Sequence, residues 1–297
     1  MPARRRGRRS LRLRLAGTAG HRVDDRIAVT FVFFLFLSHL GLGLLAMLPF
    51  VPERAGRSYF KFCSASAAFT MTAALGLVLR RYGFPTGAPD AGAPGGSAFP
   101  AFVLAAGSSV AFAVLYNRAW HFSWPAIRPF LLAASLAAGL ATVVLGAPPS
   151  DRLLSILTDL TSILLLGAAA SAMVLGHWYL VVLDLPITAL RRLTVLLAAS
   201  LVLRAAVVAL ALVGPVHAGF TDARAVAAGL WSPDGVFVWM RLLFGLAGPL
   251  SLLWFIWKTV EIRSTQSATG ILYVQLFLVL AGELLAKYLR VAAGFPL

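Results

Sequence analysis

From Ile27 to Phe50 the chain runs for 24 residues without an Asp, Glu, Lys or Arg, and seven further stretches nearly match it. A hydrocarbon core about 30 Å thick is crossed by roughly 20 apolar residues in a helix. Lipid offers no hydrogen bonds, so backbone groups within it must pair inside the segment itself, which makes such runs helical. The spans are expected at Ile27 to Phe50, Phe62 to Leu79, Phe99 to Tyr116, Pro129 to Gly146, Arg152 to Gly176, Leu193 to Val213, Val236 to Trp257 and Thr269 to Arg290. The fold class that follows is an all-α, polytopic transmembrane helical bundle of about eight helices. Ten-residue alternating strands, the signature of a membrane barrel, are absent. Charged residues make up 12% of the chain, about half of what a soluble domain needs to cover its surface.

The charge is concentrated. The first 26 residues hold nine arginines against Asp24 and Asp25, a net +7. This basic arm (residues 1–26) precedes one transmembrane domain (residues 27–297). Its natural partner is the anionic headgroup layer of a lipid bilayer rather than nucleic acid. Basic residues also crowd the connections on the opposite side: Arg54, Arg57, Lys61, Arg118, Arg128, Arg191, Arg192, Lys258 and Arg263. The two sets point to opposite orientations under the positive-inside rule. The arm tips the expectation towards a cytoplasmic N-terminus in the cell (inner) membrane. Trp120, Trp124, Trp178, Tyr179, Trp231, Trp254 and Trp257 fall where interfacial aromatic belts should lie.

Ionisable residues inside spans cost roughly 2.5–3.5 kcal/mol each, so each needs a partner or a function. Asp159, Arg204, Arg241, Glu283 and Lys287 stand out. Counted from alternating helix ends, all five reach one depth, in the half of the membrane nearest the N-terminal side. Glu283 and Lys287 share a helix face at i,i+4. Ser155, Thr158, Asp159 and Ser162 form a polar stripe that should face other helices. Gln275 adds a polar group to the last helix. Two readings follow: a buried polar pocket among helices five to eight that binds a quinone head or carries protons, or a structural lock of Asp159–Arg204 and Glu283–Lys287 pairs with Arg241 and Lys287 snorkelling.

Histidines add less. His39 is mid-span, His177 sits at a boundary, and the within-helix pairs of cytochrome b-like bundles are missing, so haem is not expected. His177 shares a face with Asp159, separated by roughly 27 Å of helix. The small residues between them allow either a cleft or close packing, with packing favoured. Cys63 is the sole cysteine, which rules out an internal disulfide and any multi-cysteine metal site. No enzyme signature appears, and helix seven has a candidate break at Gly245, Gly248 and Pro249.

The segment Gly282-Glu283-Leu284-Leu285-Ala286-Lys287-Tyr288-Leu289-Arg290 resembles the closing helix of NrfD-like membrane-anchor subunits of DMSO reductase-type and polysulfide reductase complexes. The resemblance covers these nine residues. It implies an eight- or nine-helix anchor without haem, exchanging electrons between quinol and an iron–sulfur subunit, with Glu283 and Lys287 as the matching acidic and basic positions. The expectation is therefore a quinone-interacting or proton-handling subunit of a redox complex. Glu283, Asp159 and His177 would be proton-active, and Lys287, Arg204 and Arg241 would set their charge state. A small-solute transporter with a midplane cavity and a ligand-free membrane scaffold are the alternatives.

Overall fold

A computed structural model describes residues 29–84, 93–148, 151–182, 185–217, 231 and 235–292. The basic arm lies outside them. Among the described residues there is no strand, and eight helices are long and apolar enough to cross a membrane. We label them α1 (Val29–Phe50), α2 (Arg57–Tyr82), α3 (Phe99–His121), α4 (Arg128–Gly146), α5 (Arg152–Trp178), α6 (Thr188–His217), α7 (Gly235–Glu261) and α8 (Thr265–Ala292). The chain is a multi-pass membrane protein.

Most helices overrun the hydropathy limits. α2 begins five residues before the expected Phe62, and α6 five before the expected Leu193. Hydropathy marks what lies in hydrocarbon, whereas helical hydrogen bonding continues through the headgroup layer, where arginines are comfortable. The start of α6 is also tied down locally. Tyr179 donates its hydroxyl to Pro186 O at 2.6 Å and accepts from Leu190 N–H at 3.3 Å, clasping the α5–α6 connection.

Burial raises the Tyr179 phenol above its ordinary value of 10.0, and the Leu190 N–H pulls it partly back. The neutral phenol is thus the form the fold favours. Its contribution is complete below pH 10 and is lost as pH rises through the raised value. Tyr179→Phe is expected to cost about 1 kcal/mol at neutral pH. It should also flatten the alkaline fall of melting temperature above pH 10, read by thermal unfolding in detergent.

α2, α3 and α4 pack side by side, as do α5, α6, α7 and α8. α1 lies between the two groups. Its Phe34 packs on Phe102 of α3 at 5.4 Å. A Cβ on Gly41 would meet Thr70 of α2 at 2.7 Å, and Leu42 fills the space over Gly139 of α4. Gly43 touches the backbone of α5 at Gly167, so α1 and α5 cross with nothing but main chain between them. These two helices are the axis of the bundle: in their 18-residue apolar stretches 67% of α5 and 61% of α1 are buried, against at most 39% in the other spans. The small face of α5 is close packing, not a channel: Ser162, Ala168, Ala169 and Ala172 are fully buried.

Two local expectations change. Trp120 is not a belt residue. It is buried, stacked on Phe60 at 4.4 Å, with Arg128 over its other face at 3.8 Å. Trp124, Trp231 and Trp254 do face outward. In α7 the expected break is a single π-turn, Leu243–Ala247, and the helix resumes at Gly248. Pro249 has no N–H for the ladder and crowds the carbonyl of the preceding turn, and the wider turn accommodates both.

Candidate functional site: a buried charge network beside an apolar cleft

The common depth inferred for the five charged residues is reproduced as contact. Glu283 of α8 is the hub. Arg204 of α6 meets it with two nitrogens, Nε at 2.9 Å and a terminal nitrogen at 3.2 Å, the fork geometry that suits a carboxylate. Arg204 also donates to Thr158 O of α5 at 3.0 Å. Arg241 of α7 donates to Glu283 at 2.8 Å, and Ser162 of α5 donates to it at 2.5 Å. Arg204, Arg241 and Glu283 are all fully buried.

Asp159 of α5 is the second anion. Arg290 of α8 hydrogen-bonds it, Lys287 Nζ lies 3.8 Å away, and His39 Nε2 of α1 also lies 3.8 Å away. Ser162 links the two halves. It accepts from Lys287 Nζ at 2.9 Å while its own proton goes to Glu283. With that proton committed, the 3.4 Å contact to His39 Nδ1 has the imidazole as donor. His39 Nε2 is then left facing Asp159.

One pair of the structural lock expected from sequence is present, with Lys287 Nζ 3.9 Å from Glu283, and the other is not. Arg204 belongs to Glu283, not to Asp159, whose bonded partner is Arg290. Arg241 and Lys287 do not snorkel; both are buried within the bundle. Arg241 reaches Glu283 because Gly245 and Gly282 bring α7 and α8 together, and a Cβ on Gly245 would overlap the guanidinium. Two candidates lie elsewhere. His177 is exposed and contacts Tyr273 at 3.2 Å. Gln275 is buried with neither amide atom hydrogen-bonded among the described residues, eight residues from Glu283, or about 12 Å along the helix. No protein-family model, curated protein or solved structure matches the chain.

Two members were not picked out from sequence as site residues, although a signal existed for each. Arg290 completes an i,i+4,i+7 stripe with Glu283 and Lys287, but its place at a helix end reads as interfacial. His39 reads by residue type as a haem ligand, although its mid-span depth matches that of the network.

A narrow cleft runs against this network on the α1 side. Its free space is about 560 Å³, part of it open to the outside, and the part wide enough to admit water is about 40 Å³. Most of the lining is apolar, with Phe31, Phe34 and Leu35 of α1 and Phe102, Ala106 and Val110 of α3. Its polar wall is Ser38, His39, Asp159 and Arg290. The cleft thus lies among α1 to α4 and touches α5 and α8 at its charged wall. It is not enclosed by helices five to eight, where the sequence placed it.

Proposed function

We propose that this protein binds a membrane-soluble, quinone-type ligand in the α1–α4 cleft and handles protons at its head, as a subunit of a redox complex. The observation that carries the reading is the position of Asp159. It is shared between the cleft wall and the buried network, with His39, Lys287 and Arg290 around it. A quinone needs an apolar slot for its chain and N–H donors for its carbonyl oxygens. Arg290 supplies donors, and the His39–Asp159 pair is a proton acceptor at the same wall. Glu283 has its oxygens filled by Arg204, Arg241 and Ser162, so in this reading it holds the cations in place and Asp159 and His39 do the proton work. The likeness of the last helix to NrfD-like anchors agrees with a quinol-linked role and would make an iron–sulfur subunit the partner.

The transporter reading gains less support. The glycines of α7 are occupied in packing against α8 and Arg241 rather than in opening a cavity. The test is a photoreactive quinone analogue added to purified protein in detergent, followed by peptide mapping. Labelling is expected on α1 or α3, at or near Phe34, His39 or Phe102, and should be competed away by unlabelled quinone. Labelling confined to lipid-facing residues such as Phe69 or Phe277, without competition, would rule the reading out.

A further inference from the structure

A second cavity lies at the far end of α1 from the charged wall. It opens at the membrane boundary between the end of α1 and the start of α6, lined by Phe50, Thr188, Arg191, Arg192, Val195 and Leu196. Its free space is about 820 Å³, part of it open to the outside, and about 460 Å³ admits water. Small-molecule sites occupy roughly 300–1,000 Å³. Arg191 and Arg192 are consecutive at the start of α6, about 100° apart around the helix, yet both line this one cavity. Trp257 of α7 lies against Arg191, its ring centre 5.1 Å from the guanidinium carbon. That contact holds the cation at the depth where interfacial aromatics sit. Past the arginines the wall turns apolar. Val195 is exposed, and Ala199, Val202 and Leu203 continue its exposed face along α6, the i, i+4, i+7, i+8 spacing of one helix stripe. Phe50 of α1 is exposed beside it.

From this geometry we infer that the cavity binds an anionic phospholipid of the bilayer, with its phosphate at Arg191 and Arg192 and an acyl chain along Val195 and Val202. Guanidinium forks match phosphate oxygens in geometry and charge. Thr188, one turn before Arg191, adds a hydroxyl at the same wall. Basic pockets between spans at the headgroup level suit such lipids. A headgroup of net negative charge, such as that of phosphatidylglycerol, keeps the full attraction, whereas a choline headgroup brings its own cation up to the arginines. A soluble phosphate monoester shares the head chemistry but leaves the exposed apolar stripe of α6 unused. The site is separate from the α1–α4 cleft and stands or falls independently of the quinone-type reading.

Native mass spectrometry of the full chain in mild detergent counts bound lipids and gives an apparent Kd for the first. The probes are phosphatidylglycerol and phosphatidylcholine with identical chains, and glycerol phosphate. A basic residue near an anionic headgroup is worth roughly fivefold in affinity. Arg191→Gln/Arg192→Gln should therefore weaken phosphatidylglycerol binding by on the order of twentyfold. Arg54→Gln/Arg118→Gln removes the same charge from exposed positions on the same side, outside the cavity, and should change little. Val195→Trp keeps both arginines and fills the cavity from an exposed position. It should weaken binding as well, which general attraction to a basic surface would not produce. Equal weakening by the two double variants, or unchanged binding in Val195→Trp, would overturn the site. Equal binding of phosphatidylcholine would overturn the preference for a negative headgroup. Displacement by glycerol phosphate at the lipid's own concentration would overturn the lipid as occupant.

Discussion

Glu283→Ala is expected to destabilise the folded protein by about 3–5 kcal/mol, the usual cost of stripping one partner from a buried ion pair. The deletion is severe because two guanidiniums depend on the same carboxylate. Arg204 retains a backbone acceptor at Thr158. Arg241 keeps nothing of the kind: its Nε and one terminal nitrogen already lack hydrogen-bond partners among the described residues. The alanine variant would bury both cations around a void and leave the Ser162 hydroxyl without its acceptor. A loss of that size lowers the melting temperature by on the order of 10 °C, read by thermal unfolding monitored on a sizing column in mild detergent. Glu283→Gln should be milder, since its carbonyl still accepts one bond. Pairing it with Arg241→Gln should recover part of the loss, because one charge leaves with its partner. If Glu283→Ala melts like the parent, the carboxylate is not the hub of the network.

Much of this was legible from residue types alone, and the limits have a physical origin. Hydropathy located eight spans because lipid imposes its thickness on every one of them. Alternating direction then placed Asp159, Arg204, Arg241, Glu283 and Lys287 at one depth, and they do meet. Depth, however, is a single coordinate. Which helix neighbours which, and how each is rotated about its axis, are set by packing, and those choices gave Arg204 to Glu283 and left Asp159 to Arg290. The same blindness affected Trp120, whose composition fits a belt but whose rotation puts it on Phe60. The cleft was misplaced because no helix advertises the gap it leaves. It lies where α1 fails to fill the space against α3 and α4, and the residues that face it from α2, α3 and α4 carry no charge.

The crossing of α1 and α5 yields the other large expected effect. A Cβ on Gly43 would stand 2.7 Å from Gly167 N and 2.8 Å from Gly167 Cα, and one on Gly167 would overlap the Gly43 backbone. No rotamer relieves a clash with main chain, so the helices must part. Overpacking of this kind costs about 1–3 kcal/mol and more where backbone must shift. Gly76 of α2 is the matched control, since nothing lies within 4 Å of its added Cβ. There Gly→Ala removes only backbone freedom and should stabilise by about 0.5–1 kcal/mol. Gly43→Ala should therefore lower the melting temperature while Gly76→Ala leaves it unchanged or raises it, and Gly43→Val should abolish a monodisperse folded peak. The consequence reaches the site as well. His39 is one turn from Gly43 on α1, and Ser162 lies five residues before Gly167 on α5. Parting the two helices lengthens the 3.4 Å His39–Ser162 contact and the 3.8 Å approach to Asp159. Any ligand held at that wall should be lost from Gly43→Ala even where enough protein stays folded to measure it. Gly43→Ala that keeps both its melting temperature and its ligand would mean that the two helices do not touch here.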